Sequence, residues 1–452
     1  MESGIKTRLS PEEPSPVTND KPAAETQYSF LKIPNTVQDM GLNEGFLGDL
    51  LLKVLYSTGS LTGFQLAERM MVSPTVINNI LVPLKKAKLI DEGKGSTDRR
   101  LDYVNDLTSE GRQRVRESLA ASTYAGPCPV PLSLYIEAVE AQALGGRVRV
   151  MNKASLKEGL SHLVVDDDLV EQLGPAVNSW RALFIYGPPG NGKTAIAEAI
   201  GASVFEAYYL PHAIAVDGQI IKVFDPVNHE PLDPPWQADP EAPGSDLSPF
   251  DPRWIRCRRP VVFTGGELTL AMLDLAFNPL VRYYEAPLQL KANGGVLLVD
   301  DFGRQMVSPR DLLNRWIVPM EHRRDYLALH TGQKFAVPFD IFTIFGTNIE
   351  PRDLVDEAFL RRIPNKVEIN DPTPGQFHRI FARICQQQSL EYDEVLVENL
   401  VERQYRARGR HLRSCHPRDL VALIVARASF LGEPAELSEK NLELACKSYF
   451  VD

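Results

Sequence analysis

The sequence predicts an α/β fold, a parallel sheet with a helical C-terminal part, preceded by a smaller α+β module. Three observations lead there. Short apolar runs, LFIY at 183–186, VLLV at 296–299 and FTIFGT at 342–347, are too short for helices and suit strands buried on both faces. From about 371 onward, DPTPGQFHRIFARICQQQ and three later stretches place apolar residues at helical spacing. Between about 40 and 122, three helical patterns precede two short strands around a Gly-rich tip, and a further helix closes the stretch.

The chain of 452 residues is long enough for about three domains. Its 44% hydrophobic and 24% charged residues are those of an ordinary globular protein. The five cysteines, at 128, 257, 385, 415 and 446, are scattered without metal-ligand spacing, which points to a reducing compartment and away from a zinc site. No signal-like N-terminus and no membrane-length apolar run is present, so the expected place is the cytoplasm, without membrane insertion. A formal charge of −10 argues against non-specific coating of nucleic acid.

Residues 1–36, rich in Pro, Ser, Thr and charge, are expected as a disordered tail. The module over 37–122 begins with GFLGDLLLKVLYSTGSL and TGFQLAERMMV as two helices. SPTVINNILVPLKKAKLI is the third, with Ser73 as N-cap, Pro74 in the first position and Pro83 as an expected interruption. DEGKGSTDRRLDYVNDLT supplies the strands and SEGRQRVRESLAA the closing helix. This order resembles the winged helix-turn-helix domain. The resemblance implies DNA contacts through Thr75, Asn78 and Asn79 on the third helix and Arg99 and Arg100 on the wing. The competing reading is protein docking, because basic and acidic residues balance across 39–120. GPCPVP marks a linker over 123–145 carrying one short helix. The core is expected over 146–370, with a Pro-rich, solvated insert at about 225–256, and the helical part over 371–452.

The chemistry concentrates where LFIY runs into GPPGNGKT. Gly187, Pro188, Pro189, Gly190, Asn191, Gly192, Lys193 and Thr194 form G-x-x-x-x-G-K-T between a strand and a helix. Glycines let backbone N–H groups approach phosphate, and the helix adds its positive end. Lys193 can reach the β and γ phosphates, and the Thr194 hydroxyl can hold Mg²⁺. VLLV ends in Asp300 and Asp301, a Walker B pattern for a metal carboxylate and a water-orienting one. FTIFGTN ends in Asn348, suited to the γ-phosphate or an attacking water. DEAFLRRI, a strand-like NKVEI and HPRDL follow.

In this order the motifs resemble the AAA+ ATPases over about residues 146 to 450. The resemblance implies ATP and Mg²⁺ as ligands, with Lys193 and Thr194 in the phosphate loop and Asp300 on the metal. It further implies Asn348 as sensor 1, Arg361 and Arg362 at the arginine-finger position, and Arg418 at sensor 2. Most active relatives carry Glu where this chain has Asp301, one methylene shorter, which implies slow hydrolysis. RRDYLALHTGQKFAVPFD supplies a hairpin before sensor 1, at residues 325–330 and 334–338. This is similar to the branch that holds MoxR-like chaperones and bacterial enhancer-binding activators. The activators' G-A-F-T-G-A loop is missing, and FTGGEL at 263–268 shares only letters with it. An arginine finger implies a ring, most simply a hexamer, in which each subunit completes its neighbour's site. The expected function is an ATP-hydrolysing, chaperone-like remodeller of protein substrates. The alternatives are an ATP-dependent DNA-binding transcription regulator and a non-hydrolysing nucleotide switch.

Overall fold

The computed structural model describes residues 28–93, 100–143, 151–203, 207–234 and 250–450. At its centre is a five-stranded, all-parallel sheet. Its strands are β1 (Leu183–Tyr186), β2 (Val261–Thr264), β3 (Val296–Val299), β4 (Phe342–Thr347) and β5 (Asn365–Glu368), in the spatial order β2-β3-β4-β1-β5. Alternate residues divide between two apolar layers. Leu183, Ile185, Leu298 and Ile344 pack on one face with the helices Asp167–Ser179 and Lys193–Ala202. Phe184, Leu297, Val299 and Phe345 pack on the other with the helix Pro309–His322, whose Trp316 is fully buried. Helices on both faces explain why these strands read as continuous apolar runs. The expected α/β class with a parallel sheet is the observed one. β2, which the sequence reading did not single out, is an edge strand; its Phe263 is half exposed.

The chain after β5 is helical, as expected: Pro374–Gln387, Glu394–Leu400 running on to Arg406, His416–Leu431 and Glu439–Tyr449 surround one core of their own. The hairpin before β4 pairs Arg324–Ala328 with Lys334–Pro338. Asp325, 1% exposed, fastens it to the helix Pro309–His322 through Arg315 at 2.6 Å.

In the N-terminal module, the helices Glu44–Thr58, Gly63–Met70 and Pro74–Lys86 precede a three-stranded antiparallel sheet and the helix Ser109–Leu119. The third strand is Leu61–Thr62, which pairs with Val104–Leu107 and was too short to show in the sequence. Ser73 caps the third helix by accepting from Val76 N. Pro83 does not interrupt that helix: it sits exposed in the last turns, where little helix remains to be disturbed. Arg99 and the wing tip lie outside the described residues, and only the backbone of Arg100 is described.

Three expectations need correction. The tail expected over 1–36 is packed from Tyr28, because Phe30 and Leu31, 1% and 4% exposed, insert beside Trp254 and Tyr209. The linker expected over 123–145 is built into the fold over its described residues: Val130–Pro131 joins a second five-stranded sheet beside Ala213–Val216, and the helix Leu132–Gln142 buries Tyr135, Ala138 and Val139. The Pro-rich insert ends in structure, since the strand Trp254–Arg258 pairs with Ala207–Pro211. There Arg253 and Asp251 form a bidentate pair with both side chains 1% exposed. Asp251 N donates to Leu31 O at 2.9 Å and Arg253 Nη1 to Met40 O at 3.4 Å, so this pair also holds the N-terminal segment.

Removing one member of such a pair leaves a buried charge uncompensated. Asp251→Ala is expected to lower the unfolding free energy by about 3–5 kcal/mol. A loss below about 1 kcal/mol in urea unfolding, the level of an exposed ion pair, would contradict that placement.

Candidate functional site

The C-terminal ends of β1, β3 and β4 converge, and the loop after β1 lies between the inner strand and β5. In an open parallel sheet that is where ligands bind. The loop carries positive φ at Gly187 (131°), Gly190 (83°) and Gly192 (80°), before the helix Lys193–Ala202 starts. At Gly187 a Cβ would lie 2.3 Å from Ile369 O, so a side chain is excluded by the backbone beyond β5.

Lys193 is 8% exposed. Its Nζ donates to Gly187 O at 3.0 Å, Pro188 O at 2.9 Å and Asn348 Oδ1 at 2.6 Å, which occupies its three hydrogens. Burial pushes the ammonium below its ordinary pKa, Asp300 and Asp301 act in the opposite sense, and Arg413 adds to the lowering. No carboxylate lies within ion-pair distance of it among the described residues.

Thr194 Oγ1 donates to Asp300 Oδ2 at 2.6 Å. Asp300 is placed by its own N–H on Thr264 O at 2.9 Å, which ties the ends of β2 and β3. A Cβ on Gly346 would come within 2.7 Å of Asp300 Oδ1, so the strand across from the carboxylate has to be bare. The chain then turns through Asp301 at φ +50°, and Phe302 N donates to Gly346 O at 2.7 Å. That turn brings Asp301 Oδ1 to Asn348 Nδ2 at 3.2 Å. Asn348 therefore holds Lys193 with its oxygen and Asp301 with its nitrogen. The structure brings together Lys193, Thr194, Asp300, Asp301 and Asn348.

The helical part closes over the loop. Cys415 N donates to Gly190 O at 2.8 Å, and Ser414 N to Asn191 Oδ1 at 3.1 Å. Asn191 Nδ2 donates to Asp371 Oδ1 at 2.8 Å, and the same carboxylate pairs with Arg413 and with His411 at 3.1 Å. A Cβ on Gly190 would sit 2.7 Å from Cys415 Sγ, so contact at this closeness requires glycine.

One sequence expectation falls elsewhere. Arg418 does not face the loop; it is 70% exposed and its Nε donates to Asp419 at 3.0 Å. The arginine beside the loop is Arg413, in the turn before the helix, 22% exposed. Arg361 and Arg362 precede β5, at the opposite end of the sheet from the glycine-rich loop after β1. Arg362 Nε donates to Glu321 at 2.6 Å, while Arg361 is exposed. Asp371, His411 and Arg413 were missed by sequence reasoning. The only signal was a run of polar residues ahead of HPRDL.

A family model described as a domain of unknown function (DUF8689) matches residues 373–448. No curated protein matches the chain. Among solved structures, the RuvB Holliday junction branch migration motor of Thermotoga maritima is similar at 13% identity, over 64% of this chain and 70% of that one, with a TM-score of 0.35. A mutant of the same protein aligns at 13% identity over 65% and 72%, TM-score 0.37. NtrX from Brucella abortus aligns at 12% identity over 83% of this chain and 62% of its own, TM-score 0.36. No helix among the described residues is long and apolar enough to cross a membrane.

Asn191→Ala removes two of the bonds that hold the helical part to the loop. At about 1 kcal/mol net for each, exchange of the Ser414 amide should quicken by roughly tenfold or more. Unchanged protection at Ser414 in a mass-spectrometric exchange experiment would mean that Asn191 does not fasten the closure.

Proposed function

We propose that this chain is an AAA+-type ATPase that binds ATP with Mg²⁺ at the Lys193 loop and hydrolyses it. We read it further as working in a ring of identical subunits, a hexamer in the simplest case, that remodels protein substrates in a chaperone-like way in the cytoplasm. The observation that carries the reading is the 2.6 Å bond between Thr194 Oγ1 and Asp300 Oδ2. A hydroxyl and a carboxylate so placed are what Mg²⁺ takes alongside phosphate oxygens. The buried Lys193 ammonium, bonded to amide oxygens with no carboxylate within ion-pair distance among the described residues, fits a site made for an anion.

Bound ATP supplies the γ-phosphoryl group, and Mg²⁺ neutralises its charge. The chain's residues do the rest. Lys193 trades loop carbonyls for phosphate oxygens, Thr194 and Asp300 hold the metal, and Asp301 with Asn348 orients water. Asp301 is shorter than glutamate, and misplacement by about 1 Å can cost on the order of a hundredfold, so turnover is slow. Arg413 takes the lid-arginine role that the resemblance gave to Arg418, because it stands beside Gly190 and Asp371. Arg361, exposed at the far end of the sheet, serves an adjacent subunit with Arg362.

The winged-helix-like module is read as a protein-facing part and not as a DNA reader. Pro34 O accepts from Ser73 Oγ at 3.2 Å and Asn35 O from Asn79 Nδ2 at 3.5 Å. The segment before the module thus lies along the end of the third helix, where Thr75, Asn78 and Asn79 would have to meet bases. A transcription regulator would need that segment displaced.

Phosphate release from four assembled proteins tests the reading. Lys193→Ala is expected to lose nucleotide binding, and Asp300→Asn to bind without magnesium-dependent turnover. The Arg361→Ala, Arg362→Ala double variant should bind but turn over slowly, and mixing it with Lys193→Ala should restore part of the rate. Wild-type release no higher than that of Lys193→Ala would leave only the nucleotide switch. Subunit exchange without rescue would remove the ring.

A further inference from the structure

At the end of the core sheet opposite the phosphate loop lies a cavity of about 630 Å³, within the range of small-molecule pockets. Ala182 before β1, Ile341 before β4 and Pro364 before β5 form its floor. Five arginines line it: Arg181, Arg323, Arg324, Arg361 and Arg362. Arg362 meets Glu321 at 2.6 Å and Arg324 meets Glu140 at 3.7 Å. Asp340 is the third carboxylate on the wall, so five guanidinium groups face three carboxylates.

The middle of this set is poorly neutralised. Arg323 donates to the main-chain oxygens of Trp180 and Ile341, which orient the guanidinium without cancelling its charge. Burial lowers its pKa, Asp340 opposes that, and the neighbouring Arg181 adds to the lowering. Arginine keeps its proton in proteins, so this environment does not discharge it. The guanidinium groups of Arg181 and Arg361 have no hydrogen-bond or ion-pair partner among the described residues. Thr343 supplies a different sign of an absent partner. Its side chain is 1% exposed and lines the cavity, and Oγ1 has no hydrogen-bond partner. Buried hydroxyls are ordinarily satisfied.

We propose that this cavity is a second anion site, for a compact ligand carrying two or more phosphate-type negative charges. The planar forks of Arg181 and Arg361 match phosphate oxygens in pairs, Arg323 supplies charge from beneath, and the Thr343 hydroxyl donates the remaining bond. The site goes beyond the nucleotide reading, since no phosphate-loop residue belongs to it, and it stands whether or not that loop hydrolyses ATP. It shares Arg361 and Arg362 with the inter-subunit role. A filled cavity would therefore engage the arginines that a neighbouring subunit needs.

The test is a calorimetric titration with inorganic pyrophosphate at low ionic strength. The protein is the full chain carrying Lys193→Ala, which removes the main phosphate contact at the other end of the sheet. One saturable site is expected, weakened about tenfold or more when Arg181→Ala is added, as for loss of a charge-assisted hydrogen bond. Thr343→Val, which keeps the shape and removes the hydroxyl, should weaken binding by about fivefold. Arg181 is exposed, so its variant is expected to keep the parent's melting temperature, which separates loss of the site from loss of the fold. No saturable binding through the millimolar range would overturn the proposal, and so would binding that is equally tight in the Arg181→Ala protein.

Discussion

An ammonium group has three hydrogens, and at Lys193 three oxygens of the chain take them. Two belong to the loop that the lysine follows, and the third belongs to Asn348, more than a hundred and fifty residues away in sequence. Such a buried cation cannot be left without acceptors, so the loop, β1 and β4 are fixed relative to one another. A phosphate ligand offers better oxygens in the same place. Its arrival would free Asn348, whose amide nitrogen already holds Asp301. In the proposed ATPase, the state of the loop would thereby be passed to Asp301 through one side chain.

The same loop is held from the outside by the helical part. Asn191, Gly190 and Asp371 share hydrogen bonds with the stretch from His411 to Cys415. These contacts run mostly to backbone or through one carboxylate. They can be exchanged without breaking either apolar core, since the helical part has its own. The N-terminal module is attached differently, through a continuous apolar cluster that includes Ala213 and Ile220, and through Thr123 on Val281 O at 2.7 Å. It is built onto the core, whereas the helical part is fastened to it.

Much of this was legible in the sequence because it depends on local pattern. LFIY, VLLV and FTIFGT are strands because both of their faces are covered, and the glycines of the loop are required by positive φ. What escaped depended on pairing between distant segments. Val130–Pro131 is a strand because Ala213–Val216 lies beside it, and WIRCR becomes one between Ala207–Pro211 and the bridge at Pro231. Nearby prolines argued for a loop, but none lies within Trp254–Arg258 itself. Arg413 was overlooked for a similar reason. The motif placed an arginine within the helix, and the fold turns that residue to solvent while the preceding turn meets the loop.

The central claim is that Asn348 restrains Lys193 until phosphate replaces it. ADP has no γ-phosphate, so its affinity reports the lysine without a direct contact between Asn348 and the reacting group. The account predicts that Asn348→Ala binds ADP several-fold more tightly than the wild-type chain, because a nucleotide-free bond worth about 1 kcal/mol no longer has to be surrendered. Binding of ADP that is unchanged or weaker in Asn348→Ala would contradict it.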